Sequence, residues 1–195
     1  MTAPNSGDSG RVRVYIACSV DGFIAAEDGD LSWLPGGVGG PSIDPDAPTD
    51  PGALHYEDFI KDVGVLLMGR GCFDTVAAME AWPYACPVLV ATHRALDGAP
   101  QGVRAIHGAP QELLREAHAV AQGKDIYLDG GQMIGQFLGS GLIDELVVTQ
   151  VPVVLGTGRP LFANLQQRHR LQLLGHHRYF GSMLQLHYQP QPNPV

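Results

Sequence analysis

Asp125-Ile-Tyr-Leu-Asp-Gly-Gly-Gln-Met-Ile-Gly-Gln-Phe-Leu138 is the stretch from which the architecture of the chain is read. Its first four residues have the character of a buried strand end, Asp129-Gly130-Gly131 that of a tight turn. From Gln132 onward Met133, Ile134 and Phe137 recur at the spacing of a helix with an inward face. A strand that passes through paired glycines into a helix suits an anion. Glycine lets a ligand approach the backbone, and the first N–H groups of a helix lack intrahelical partners and carry partial positive charge. The same string also serves as a plain strand-to-helix connection, and the rest of the chain has to separate the two uses.

Upstream, residues 11–18 read as a strand that becomes fully buried and is broken by Ser19-Val-Asp21-Gly22. Residues 53–62 carry Leu54, Phe59 and Ile60 at helical spacing, and residues 63–68 form an apolar strand that turns through Gly69-Arg70-Gly71 into a helix near 72–79. A further strand, 87–91, ends at Thr92-His93-Arg94; residues 103–107 are a short strand and 110–121 a helix with Pro near its start. Downstream, residues 146–151 are a strand and 156–160 a turn, while 170–179 and 183–188 are joined by so short a connection that they predict an antiparallel hairpin. Strands alternating with helices and closed by a hairpin describe an α/β fold with a doubly wound, mostly parallel sheet. One domain over 11–188 is expected, with a disordered tail at 1–10 and a loose tail at 189–195. The Pro- and Gly-rich residues 35–52 have no periodicity and predict either a lid or a disordered insertion.

The balance is acidic, 20 Asp and Glu against 12 Lys and Arg, and no basic run interrupts it. Nucleic acid is thereby excluded as an expected partner, because its affinity rests on clustered Lys and Arg. Cys18, Cys72 and Cys86 show no C-x-x-C spacing, so neither a zinc site nor a disulfide framework is expected, and the two adjacent histidines His176 and His177 do not make a metal site. No apolar run approaches the roughly 20 residues of a membrane span. A reduced, cytoplasmic protein is the simplest reading.

In open α/β sheets ligands collect at the carboxyl ends of the strands. Four such ends carry suitable residues: Ser19-Val-Asp21-Gly22, Gly69-Arg70, Thr92-His93-Arg94 and Gly130-Gly131. The string Gly69-Arg-Gly71-Cys-Phe-Asp74 has Asp where a dinucleotide fingerprint has its third glycine, and the next strand ends in His93-Arg94 where an acidic ribose ligand would stand. That pattern argues against NAD and suits a 2′-phosphate. A charge-assisted bond to Arg is worth about 1.5–3 kcal/mol, which favours NADPH over NADH by roughly tenfold to a hundredfold per contact.

The ordered set Tyr15-Ile-Ala-Cys-Ser-Val-Asp-Gly-Phe-Ile24, Leu67-Met-Gly-Arg70, Ala91-Thr-His-Arg94, Leu128-Asp-Gly-Gly131 with Gln136-Phe-Leu138, and Leu142-Ile-Asp-Glu-Leu146 through Gly156-Thr-Gly-Arg-Pro-Leu-Phe162 resembles the dihydrofolate reductase superfamily. Within it the resemblance is to the branch of bacterial reductases similar to the C-terminal reductase domain of bifunctional riboflavin-biosynthesis proteins, and it covers residues 11–188. It implies a dihydrofolate reductase-like fold and NADPH-dependent reduction of a small heterocycle, such as a pterin or a ribosylaminopyrimidine, in the manner of 5-amino-6-(5-phosphoribosylamino)uracil reductase. It also implies a homodimer.

Carried onto this chain, the resemblance implies that the backbone of Ala17 and Ile24 holds the nicotinamide carboxamide. Gly69 and Arg70 take the phosphate side, Thr92, His93 and Arg94 the 2′-phosphate ribose, and Gly130, Gly131, Gln132, Met133 and Ile134 the pyrophosphate. For the proton route it points to an acid on the helix before Met-Gly-Arg. Leu54 or His55 stands at that place here, and the nearest acids are Glu57 and Asp58, of which Asp58 is the candidate. For substrate contacts it points to Ser19 and Asp21, which also suit a turn capped by their own side chains. Cys72 stands where the family has Thr and Gly71 where it has a basic residue. The alternatives in other classes are a nucleotide-binding module without turnover and a scaffold that keeps only the fold.

Overall fold

The structure, a computed structural model, describes residues 10–37, 39–41, 44 and 46–192. In chain order its elements are β1 (Val12–Cys18), β2 (Phe23–Ala25), α1 (Tyr56–Lys61), β3 (Val63–Gly69), α2 (Arg70–Ala77), β4 (Val88–Ala91) and β5 (Val103–Ile106). They continue with α3 (Pro110–Ala121), β6 (Asp125–Asp129), α4 (Gly131–Gly139), β7 (Glu145–Gln150), β8 (Arg159–Pro160), β9 (Arg170–Tyr179) and β10 (Met183–Gln191).

Eight strands form one sheet in the order β5-β4-β3-β6-β1-β7-β10-β9. The six from β5 to β7 run parallel, and β10 and β9 add the antiparallel edge. The sheet is covered on both faces, which is why its central strands read as continuous apolar runs rather than as alternation. Along β3 the pleat sends Val65 and Leu67 to the face packed by α3 and α4, with Leu113, Ala117, Ile134 and Phe137. Leu66 and Met68 go to the opposite face, with Phe59 of α1 and Phe73 of α2. The doubly wound sheet with its closing hairpin is thus the fold that the alternating pattern implies.

Three local expectations change. Residues 189–191 are not a loose tail: β10 runs on to Gln191, with Gln189 opposite Gln172, Pro190 opposite Leu171 and Gln191 opposite Arg170. Pro190 is tolerated there because β10 has already outrun β7, whose last register partner is Tyr188 opposite Leu146. Residues 159–160 are not only a turn, since β8 pairs with β2 in a second, two-stranded sheet. At the end of the Pro/Gly-rich segment the chain is laced to the β9–β10 turn: the Asp50 N–H donates to the Arg178 carbonyl at 3.0 Å, the Arg178 N–H to Asp50 Oδ2 at 2.8 Å, and the Phe180 N–H to Thr49 Oγ1 at 3.0 Å. The expected N-terminal tail lies, apart from Gly10, outside the described residues, as do residues 193–195.

At the end of the sheet remote from the strand mouths, Arg13 of β1 is almost fully buried. Its Nε donates to Glu145 Oε2 at 2.6 Å and its Nη1 to Asp125 Oδ2 at 3.2 Å, and its guanidinium lies over the Phe59 ring at 4.9 Å. One cation therefore ties the starts of β1, β6 and β7 together.

Candidate active site

The carboxyl ends of β1, β3, β4 and β6 open into one cleft of about 970 Å³. Its floor at β6 is the Asp129-Gly130-Gly131 turn. Gly130 has φ +93°, a conformation that costs an L side chain, and a Cβ built on it would come within 3.5 Å of the Cys72 Cβ. Gly131 is closed in from the other side, because a Cβ there would meet the Pro160 carbonyl oxygen. The first residues of α2 and α4 therefore face one another with bare backbone between them, as two helix N-termini directed at the same space.

Eleven of the twelve residues proposed for cofactor line this cleft: Ala17, Ile24, Gly69, Arg70, Thr92, His93, Arg94, Gly130, Gly131, Gln132 and Met133. Ile134 does not. Its side chain is buried in the core beneath α4, and its N–H already donates to the Gly130 carbonyl at 2.9 Å.

Arg70 and Arg94 stand together, gathered on one acid. The Arg70 Nε donates to Asp74 Oδ1 at 2.6 Å and its Nη1 to the Ala95 carbonyl at 3.0 Å, while Arg94 Nη2 lies 3.7 Å from Asp74 Oδ2. The Asp that spoils the dinucleotide fingerprint thus orients the two guanidinium groups. Beyond them His93 and His107 pack ring to ring, 5.1 Å between centroids, at the ends of β4 and β5. A third cation, Arg159 of β8, crosses from the opposite wall to donate to Thr75 Oγ1 of α2 at 3.2 Å. A dinucleotide with a 2′-phosphate fits this donor set: paired helix N-termini for a pyrophosphate, and an exposed Arg94 beside a steadied Arg70 for a further phosphate.

The residues expected to carry chemistry lie elsewhere than expected. Asp58 is exposed on α1, accepts from Lys61 Nζ at 2.6 Å and does not line the cleft. That hydrogen bond and the Lys61 charge hold its carboxyl below the usual range, as befits a solvated ion pair. Ser19 and Asp21 form a capped turn and do not line this cleft. The Ser19 hydroxyl donates to Asp21 Oδ1 at 2.6 Å and accepts from the Phe23 N–H at 3.0 Å, and Asp21 accepts from the Leu155 and Gly156 N–H groups at 3.2 and 2.7 Å. Together they pin the β1–β2 turn to the loop before β8, and Ser19 borders a separate, smaller cavity.

The acid that the cleft does contain is Asp129. It accepts from the Cys72 thiol at 2.7 Å and from the Gly130 N–H, yet burial dominates and raises its carboxyl above the usual range. Around it stand Tyr56, Tyr84 and Tyr127, whose hydroxyls are pushed up first by burial and then, among other charges, by that of Asp129. A carboxyl raised above its usual range by burial in an aromatic chamber is suited to passing a proton.

Comparison with known proteins agrees with this frame. A model of the family described as the RibD C-terminal domain matches residues 11–185. The uncharacterized protein YwjB of Bacillus subtilis is 32% identical over 186 residues, covering 90% of this chain and 95% of its own. A crystal structure from Shewanella sp. PV-4, of a protein named for riboflavin biosynthesis, superposes with a TM-score of 0.75 at 30% identity and covers 93% of this chain and 99% of that one. A dihydrofolate reductase of Enterococcus faecalis, complexed with NADP(H) and RAB-propyl, has the same fold: TM-score 0.60 at 16% identity, over 95% of this chain and 99% of that one.

Proposed function

The chain belongs to the RibD C-terminal domain family, and from that premise we propose that it is an NADPH-dependent reductase of a small heterocyclic substrate. The observation that carries the reading is the convergence, in one cleft, of two helix N-termini, the Arg70–Asp74–Arg94 cluster and the partly buried Asp129. When bound, NADPH supplies the hydride. Thr92, His93 and Arg94 hold the 2′-phosphate ribose, with Arg70 beside them. The backbone of Gly130, Gly131, Gln132 and Met133 holds the pyrophosphate, and that of Ala17 and Ile24 the carboxamide. Asp129 gives a proton to the substrate, and the aromatic walls exclude water and stack the ring.

The test is affinity for the two nicotinamide cofactors. Arg94→Gln removes a cation whose side chain is 69% exposed and whose ion pair among the described residues is a 3.7 Å one with Asp74 Oδ2, so the fold is expected to stand. NADPH binding, followed by its fluorescence, is expected to weaken tenfold to a hundredfold while NADH binding stays the same. Equal weakening of both would remove the 2′-phosphate assignment. Failure of NADPH to bind the wild-type protein or to raise its melting temperature would remove the whole reading.

A homodimer belongs to the same proposal. Leu173 and Leu174 on the edge strand β9 and Leu184 on β10 are exposed and apolar, and a second copy would cover them. Sedimentation at micromolar concentration is expected to give twice the mass of one chain; the mass of a single chain would refute it.

A further inference from the structure

Resting on the reductase reading above, we infer that the substrate end of the cleft takes an uncharged, planar heterocycle and has no recognition of a phosphate group on it. All 12 Lys and Arg of the chain fall among the described residues, and of these only Arg70, Arg94 and Arg159 line the cleft. Arg70 and Arg94 are gathered on Asp74 toward β4. Arg159 meets Thr75 and lies near Cys72, whose thiol feels its charge, and the neighbouring Pro160 closes on Gly131. Its guanidinium lies against the second half of α2 and the Gly29 turn, on the Cys72 side of Asp129, with its hydrogen bond given to Thr75.

What remains around Asp129 is aromatic and apolar. Tyr56, Tyr84 and Tyr127 line it, as do Leu34, Val76 and Met79. The polar groups offered there are few and placed. The Tyr127 hydroxyl donates to the Tyr15 carbonyl at 2.8 Å and is used up, whereas those of Tyr56 and Tyr84 make no hydrogen bond to protein among the described residues. Two phenols and one carboxyl that exchanges a proton match the amide and amine edge of a pyrimidine or pterin, and the rings match its faces. A phosphate monoester adds about two negative charges. In this chamber it would share a poorly solvated space with Asp129, in a chain of net charge −8, and the one cation near it, Arg159, is already held on Thr75.

The experiment uses a matched pair, 5-amino-6-(ribosylamino)uracil and its 5′-phosphate, with the full chain and saturating NADPH. Cofactor binding is recorded first by fluorescence, so that a failed cofactor site is told apart from a failed substrate assignment. With NADPH bound, kcat/KM for the unphosphorylated compound is expected to equal or exceed that of the phosphate, and a gain from the phosphate of less than tenfold keeps the inference. A gain of tenfold or more, or failure of the protein to bind either compound in calorimetry with the oxidised cofactor present, overturns it. Tyr56→Phe and Tyr84→Phe keep the rings and remove the hydroxyls. Each is expected to weaken binding of the unphosphorylated compound about two- to tenfold with the affinity for NADPH unchanged. Unaltered binding in both variants would also overturn it.

Discussion

Asp129→Asn is expected to lower kcat by about a hundredfold to ten-thousandfold while leaving the affinity for NADPH within a factor of about three of wild type. The range is that of a positioned general acid. The substitution is nearly isosteric, and the Asn side-chain oxygen can still accept from the Cys72 thiol, so the turn and the two helix N-termini keep their places. What is lost is a proton that can be given up.

Two further readouts separate this from mere damage. In the wild type the protonated carboxyl is the working form, so kcat should fall as pH rises through the elevated Asp129 value, and in Asp129→Asn that limb should be flat. The substitution should move stability in the opposite sense to kcat. A carboxyl whose pKa is raised by burial contributes fully to stability only below its unfolded value, near 3.9, and that contribution is lost as pH rises through the folded value. At neutral pH the variant, which has no charge to bury, should therefore melt higher than the wild type. A variant that is slow and also less stable would mean that Asp129 is a structural acid and the proton comes from elsewhere.

Most of the sheet was legible because its signals are local. Apolar runs such as Val63 to Met68 and Ile126 to Leu128 are what strands buried on both faces require, and Pro110 marks the start of α3. The residues that line the cleft were legible for the same reason, since each group is a short string at the end of its own strand. The acid proposed for proton transfer was not. Asp129 stands inside the quoted Leu-Asp-Gly-Gly string, but there its presence is explained as a turn former. Its raised carboxyl follows from burial in the folded chain, where Cys72, Tyr56 and Tyr84 are brought near it from other elements. Arg159 was likewise visible in Gly156-Thr-Gly-Arg-Pro, yet only the long-range pairing of Phe23 with Pro160 turns it toward the cleft. Ser19 and Asp21 show the converse. Residue types that bind substrates also cap turns, and here their hydrogen bonds close on the Leu155–Gly156 backbone.

Arg13→Met should cost the fold about 3–5 kcal/mol, which is the usual consequence of removing one member of a buried ionic group. Methionine keeps much of the stem volume over the Phe59 ring, so the change isolates the charge. Two carboxylates are left behind, Glu145 and Asp125, with side chains 17% and 12% exposed. Their remaining cation is Arg11, 3.1 Å from Asp125 Oδ2 and 3.6 Å from Glu145 Oε2, whose own side chain is 56% exposed and so offers only screened relief. Asp125 also accepts from the Arg11 N–H at 2.8 Å and cannot turn away to water without freeing that strand end. Urea unfolding should therefore show a lower midpoint at an unchanged slope. Adding Glu145→Gln to the variant should recover part of the loss, because it removes the charge that no longer has its 2.6 Å donor. If the double variant is no more stable than Arg13→Met alone, the cost lies in packing against Phe59 rather than in the uncompensated carboxylate. The three strand starts would then be held by apolar contact and not by this ion pair.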